Sequence, residues 1–374
     1  MSRYAKSGVD HEKKHAGLSG MLSHLHGTLQ NNPRARVSSS AGHYASVIEV
    51  SGSDLALAVS TDGVGTKILV ARMAGRHDTV GIDLVAMNAN DVACCGANPL
   101  AMVDYIAVDA VDPDVLEQIA KGLAEGARRA EISIPGGEVA QVREMLSSGG
   151  DGPHYDLVGT CVGVVNVREV VDGSAVEPGD VIVGISSTGL HSNGYSLARS
   201  AIFGEMKLGI DDELPGCGRT VAEELLEPTA MYVKECKALM RSGSPPKALF
   251  NITGGGFSNL LRVSATGVGM RLDSLPEIPP VFRTIQGGAG VSDAEMHQVF
   301  NLGIGFAVVV PPWRVPDVER IARANDKSAT VIGRVVADEQ QRVVITRPGM
   351  KGALVAREAK GAFTHEGAVP AEHA

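Results

Sequence analysis

The chain is poor in the groups on which several common functions depend. Its 374 residues include seven phenylalanines, six tyrosines and one tryptophan, too few for an aromatic platform that stacks bases. Positive charge is not in excess either. Lys and Arg number 34 against 43 Asp and Glu, a net charge of −9. That argues against a basic groove for nucleic acid. The five cysteines, Cys94, Cys95, Cys161, Cys217 and Cys236, form no Cys-x-x-Cys pair. Their odd number and irregular spacing argue against a disulfide framework or a zinc site. Cys94 and Cys95 are expected to pack as small apolar residues in a helix. No apolar run approaches the length of a membrane span, and no long apolar stretch marks the amino terminus. The expectation is a cytoplasmic protein with no membrane partner.

What remains is a globular composition, 44% hydrophobic and 21% charged. The length favours two domains. Apolar runs at 55–60, 100–108, 132–134, 157–165, 181–185, 248–252, 303–310, 329–335 and 341–346 read as strands. Helical periodicity appears near 81–96, 113–130, 221–242, 293–300 and 314–325, with Arg128 and Arg129 suited to a helix end. Strands alternating with helices in both halves give an α/β class of the α+β type, two α/β domains. The turn at Val176-Glu177-Pro178-Gly179-Asp180 separates residues 1–174 from 175–346. Beyond Arg347 the periodicity is lost, and 347–374 is expected to be a mobile tail. His11, His15, His24 and His26 read as solvated histidines of a polar amino-terminal segment.

The chemistry concentrates in Ser60-Thr61-Asp62-Gly63-Val64-Gly65-Thr66-Lys67 and in Gly81-Ile82-Asp83 through Asn90-Asp91. A buried strand delivers Asp62 to its end. Gly63 and Gly65 then free the backbone for an irregular turn, and Thr66 and Lys67 stand where a helix can begin. The Walker spacing is absent, and so is the dinucleotide fingerprint. Yet carboxylates for Mg²⁺, a lysine for phosphate oxygens and exposed backbone N–H groups are what a nucleoside triphosphate needs. Taken alone, the stretch is also compatible with a structural turn.

Three further junctions repeat the pattern. His191-Ser192-Asn193-Gly194 lies between a strand and a helix, where Ser192 and Asn193 can cap the helix and turn its N–H groups toward an anion. His191 there is either an acid or base near neutral pH or a histidine bonding loop backbone. Thr253-Gly254-Gly255-Gly256 permits close backbone approach to a ligand. Pro135-Gly136-Gly137-Glu138 adds a carboxylate as a metal or hydroxyl ligand. No nucleophilic triad is visible. Four glycine-rich strand exits suggest one large site or two subsites at strand ends.

These motifs, in this order, resemble the phosphoribosylformylglycinamidine cyclo-ligase (aminoimidazole ribonucleotide synthetase) family from Tyr4 to about Ile345. The resemblance implies an amino-terminal domain that binds ATP and Mg²⁺ and forms a homodimer interface through its strands. It also implies closure of an imidazole ring on a formylglycinamidine ribonucleotide after ATP phosphorylates the formamide oxygen. By resemblance, Asp62 and Asp91 hold Mg²⁺, and Gly63, Gly65, Thr66, Lys67, Gly137 and Glu138 complete the ATP site. His191, Ser192, Asn193, Thr253, Gly254 and Gly255 line the substrate side, and His191, Lys67 and Asn251 carry catalysis. The chain departs from the family pattern at 40–45 and 139–146. It has Asn251 in place of a histidine, and Ala230 and Gln298 in place of arginines. A paralogue phosphorylating another acceptor, or a nucleotide-binding relative without catalysis, are the other readings.

Overall fold

A computed structural model describes residues 20–367, apart from 23, 30, 39–42, 147–152, 351 and 360. His11, His15, residues 40–42 and the last seven residues of the expected tail lie outside the described residues. Alternation organises the first half of the chain. The strands are β1 (Ala35–Val37), β2 (Ser46–Val50), β3 (Leu55–Gly63), β4 (Asn98–Val108), β5 (Ser133–Gln141) and β6 (Tyr155–Asn166). They form one sheet in the order β1-β2-β3-β6-β4-β5. Neighbours are antiparallel except β4 and β5, which are parallel. Along β3, Ala56, Ala58 and Ser60 are buried whereas Leu55 and Leu57 are not, the period of a sheet covered on one face. On the uncovered face Leu55, Leu57, Val103 and Tyr105 remain 38% to 52% exposed.

Among the described residues this half has three helices of eight residues or more: α1 (Lys67–Ala74), α2 (Val80–Cys94) and α3 (Pro113–Ala130). Every residue of α2 except Asp91 is buried, because one side meets the sheet and another meets the second domain. Gly81 and Gly122 let α2 and α3 touch backbone to backbone; a Cβ on Gly81 would stand 2.3 Å from the Leu123 nitrogen. α3 starts under Asp112, whose carboxylate accepts from the Asp114 and Val115 N–H groups, and carries Arg128 and Arg129 in its last turn.

The second half contributes β7 (Val181–Ser186), α4 (Tyr195–Arg199), α5 (Val221–Leu225), α6 (Val233–Met240), β8 (Ala248–Asn251) and β9 (Val268–Leu272). It continues with α7 (Pro280–Ala289), α8 (Asp293–Val299), β10 (Ile304–Val310), α9 (Val315–Arg323), β11 (Ala329–Ala337), β12 (Val343–Ile345), β13 (Ala353–Ala356) and β14 (Thr364–Glu366). Its sheet runs β14-β13-β12-β9-β11-β7-β10-β8. β10 is buried along its whole length, which explains its unbroken apolar run.

Four expectations need correction. The helix expected over 221–242 is two helices, because Pro228 cannot continue the i→i−4 ladder. The segment after Arg347 is not a uniform tail: β13 and β14 extend the second sheet. Strands of three or four residues are too short to display a period. Pro135 to Glu138 is not a strand exit but lies inside β5, an edge strand where a proline is tolerated. Finally, α4 is only five residues long and begins at Gly194 without a side-chain cap, so Ser192 and Asn193 do not perform the expected capping.

Candidate active site

The Asp62 turn sits at the end of β3, and the register places it in a row across the sheet. Asp62 pairs with Gly159, Gly159 with Asp104, and Asp104 with Gly137. Paired residues share a face, so Asp62 and Asp104 lie on the side covered by α2. The glycines leave room for their neighbours. A Cβ on Gly137 would stand 2.4 Å from Asp104 Oδ1, and one on Gly159 would stand 2.8 Å from Asn88 Nδ2. Asn88 Nδ2 also donates to the Asp62 carbonyl at 3.2 Å, and the Asp62 carboxylate accepts from the Gly63 N–H at 2.8 Å. Partial burial raises the Asp104 pKa. Glu138 pairs with Tyr105 and so belongs to the opposite, uncovered face. It is not brought together with Asp62.

Lys67 is where the structure departs furthest from expectation. Its ammonium and the Asp83 carboxylate are both fully buried. Nζ donates to Asp83 at 2.9 Å, to the Glu227 carbonyl at 2.6 Å and to the His191 carbonyl at 3.2 Å. Three donors are therefore used, and none is left for a phosphate. Burial lowers the Lys67 pKa, and the Asp83 charge opposes that shift. Asp83 also accepts from the Thr229 N–H at 2.7 Å and hydroxyl at 2.6 Å. Thr229 Oγ1 in turn lies 3.0 Å from Ser192 Oγ. One buried network thus ties the glycine turn and α2 to two loops of the second domain. The break at Pro228 supplies part of it, by freeing carbonyls that a continuous helix would have used.

The other predicted residues gather along the same seam. Asp91 accepts from Asn251 Nδ2 at 2.8 Å, joining α2 to the end of β8. Thr66 Oγ1 and Ser196 Oγ are 3.4 Å apart. Asn193 Oδ1 stands 3.2 Å from where a Cβ on Gly254 would be, which brings the His191 loop against Thr253-Gly254-Gly255. His191 is buried, with Nε2 accepting from the Thr188 N–H at 3.3 Å. Its imidazole packs over Gly305, where a Cβ would stand 2.3 Å from Cε1. Desolvation, assisted by the charges of Lys67 and Lys327, holds its pKa down to about 3. His191 is therefore a neutral loop histidine rather than an acid or base near neutral pH.

Sequence reasoning missed three participants. Asp104 carried a signal, a carboxylate inside the apolar run 100–108. Thr229 carried none, because its partner lies 146 positions away. Asn90, which donates to the Ala230 carbonyl and accepts from the Tyr232 N–H, was visible only as part of the Asn-x-Asn-Asp stretch. Among the described residues no group of three or more His, Cys, Asp or Glu is placed to hold a metal ion. No helix among them is long and apolar enough to cross a membrane.

Two mixed α/β halves, with a buried helix between them and glycine turns along the seam, define a two-domain fold of the aminoimidazole ribonucleotide (AIR) synthase type. Residues 42–165 match "AIR synthase related protein, N-terminal domain" and residues 177–346 match "AIR synthase related protein, C-terminal domain". The chain belongs to this family. It is 42% identical over 342 residues to the phosphoribosylformylglycinamidine cyclo-ligase of Methanobrevibacter smithii, covering 91% of this chain and 96% of that one. It is 44% identical over 335 residues to the protein of the same name from Methanothermobacter thermautotrophicus, covering 90% and 94%. Solved structures share the fold at lower identity. "AaThiL complexed with AMPPCP and TMP" is 18% identical with a TM-score of 0.59, covering 89% of this chain and 93% of that one. Hydrogenase maturation protein HypE in complex with ATP is 19% identical with a TM-score of 0.59, covering 84% and 86%.

Two outcomes follow from the buried groups. Lys67→Met strands the Asp83 charge and should destabilise the fold by about 3–5 kcal/mol. Lys67→Met combined with Asp83→Asn should recover part of that loss. Urea unfolding measures both, and a single variant as stable as the parent would rule out the brace. For His191, the pKa is about 3 when folded against an ordinary value of 6.5. Its contribution to stability is complete above pH 6.5 and declines as the pH falls toward 3. Unfolding midpoints between pH 7 and 4 should therefore fall less steeply in His191→Asn, whereas parallel curves would contradict the assignment.

Proposed function

We propose that the protein is an ATP-dependent phosphoribosylformylglycinamidine cyclo-ligase of purine biosynthesis. The observation that carries this reading is the likeness, over 91% of the chain and 96% of the relative, to a protein of that name. In this reaction ATP phosphorylates the formamide oxygen of formylglycinamidine ribonucleotide. The amidine-side nitrogen forms the new C–N bond at that carbon. The C–O bond then breaks, and the oxygen departs with phosphate. ADP, phosphate and aminoimidazole ribonucleotide are the products. An amide oxygen is a poor leaving group and its phosphate ester a good one, so the protein's task is positioning and charge neutralisation.

The residues of the seam suit that task. Within the turn the Gly63 N–H donates to Asp62 and the Val64 N–H to the Leu157 carbonyl, so the N–H groups of Gly65 and Thr66 are the ones it offers. Asp62 and Asp91 offer the hard oxygens that Mg²⁺ prefers, in the small number typical of an ion that shares its coordination with phosphates and water. When bound, the ion would supply charge neutralisation on those phosphates. Asn251 fixes the Asp91 carboxylate by a hydrogen bond and carries no titrating proton. Asn193 and the Thr253-Gly254-Gly255 turn form the substrate wall. Lys67 acts by holding the turn against the second domain. Glu138 faces away and has no part in this set. The uncovered apolar face of the first sheet suits a second copy of the chain.

The decisive assay is ADP release with Mg-ATP, with and without formylglycinamidine ribonucleotide, scored together with aminoimidazole ribonucleotide. Substrate-dependent ADP with matching ring product is the expected result; ADP release that ignores the substrate, with no ring product, would sink the reading in favour of a paralogue. Asp62→Asn should weaken Mg-ATP binding by at least the roughly tenfold that loss of an outer partner costs a metal site, with an unchanged far-ultraviolet spectrum. Light scattering should report a dimer that Leu57→Glu converts to a monomer. A monomeric parent would end the dimer proposal alone.

A further inference from the structure

With all three donors of Lys67 engaged, that residue supplies no cation for a phosphate in the seam. Most basic side chains of the second domain are already engaged. Arg219 pairs with Glu224 and Glu227, Arg314 with Asp317, and Arg342 with Asp338. Arg199, the last residue of α4, differs. Its Nε is buried with no acceptor, and its guanidinium has no hydrogen bond or ion pair among the described residues. Desolvation lowers its pKa, with no carboxylate opposing. A half-buried guanidinium without an anion is unfavourable, and a ligand that brings one removes the penalty.

Its position says where the anion would lie. Arg199 follows Ser196 by three residues, so the two share a helix face. The Ser196 hydroxyl is 3.4 Å from that of Thr66, in the glycine turn. On the adjoining loop Asn193 Nδ2 is a second buried donor with no acceptor. Arg199 Nε and Asn193 Nδ2, two donors without acceptors on consecutive segments, complement an anion and not a cation. A planar guanidinium matches phosphate in particular, by paired hydrogen bonds.

We propose that Arg199 binds a phosphate group in the seam between the Gly63–Lys67 turn and the His191–Tyr195 loop, with Asn193 as a second donor. The phosphate belongs to the nucleotide or to the ribonucleotide substrate, and in this respect the inference rests on the reaction proposed above. Arg199 therefore takes the part that the lysine of the turn was expected to play.

Calorimetric titration of the full chain tests this. The parent, Arg199→Met and Arg199→Lys would be titrated with a non-hydrolysable ATP analogue plus Mg²⁺ and with formylglycinamidine ribonucleotide. A third titrant is the same ribonucleoside without its phosphate. Arg199→Met should weaken at least one phosphorylated ligand by roughly tenfold to a hundredfold. It should leave the unphosphorylated nucleoside unaffected, and Arg199→Lys should restore part of the loss. The unliganded Arg199→Met protein should melt no lower than the parent, because no ion pair is lost. A loss confined to the ATP analogue assigns the nucleotide phosphates, and one confined to the ribonucleotide assigns its 5′-phosphate. Unchanged affinity for both would overturn the proposal. So would equal weakening of the nucleoside, a lowered melting temperature, or a parent protein that binds neither phosphorylated ligand. Phosphate binding through Arg199 in a protein that forms no imidazole product would keep this site while removing the proposed reaction.

Discussion

The buried pair of Lys67 and Asp83 is the constraint on which the rest of the seam depends. Removing two charges from water is costly, and a pair survives burial only where further hydrogen bonds satisfy both partners. Here they do. Lys67 donates to two carbonyls besides Asp83, and Asp83 accepts from the backbone and hydroxyl of Thr229. Those partners come from the glycine turn, from α2, from the His191 loop and from the break after α5. The pair therefore fixes the relative position of four segments that are far apart in the sequence. A residue placed like a phosphate ligand thereby holds the walls of the site.

Helix α2 is the second half of the same arrangement. It is buried on nearly every side, yet it carries Asp83, Asn88, Asn90 and Asp91. Each of these polar groups has a specific partner on the sheet or on the second domain, which the buried ones among them require. A helix of this kind cannot slide or rotate without stranding several hydrogen bonds at once. It therefore transmits the geometry of the first domain to the second with little play.

The electrostatics point to a site that works by placement rather than by proton shuttling. Burial holds the His191 pKa at about 3 and those of His43 and His297 at about 4. These imidazoles are neutral wherever the protein is folded at ordinary pH. What remains for chemistry is a set of carboxylates, backbone N–H groups and amide donors. Such a set suits a reaction in which ATP supplies the leaving group and the protein supplies orientation.

Much of this was legible in the sequence. The family, the two α/β halves and most strands followed from apolar runs of ordinary length and from the ordered glycine motifs. Asp62 at a strand end and Asp91 on a helix were placed correctly, because local pattern alone decides such positions. Strands β13 and β14 escaped notice because three or four residues show no period. The helix over 221–242 was overextended because amphipathic period outweighed Pro228. The roles of Lys67, Asp83, His191 and Glu138 were not local properties at all. Whether an ammonium meets a phosphate or a carboxylate depends on what the fold packs over it. Whether an imidazole titrates depends on its burial, and whether a carboxylate faces a site depends on strand register. The sequence by itself determined the residues present and the elements they form. The tertiary structure alone decided which charges are buried, paired or left for a ligand, because desolvation and cross-domain partners come into being only when the chain is folded.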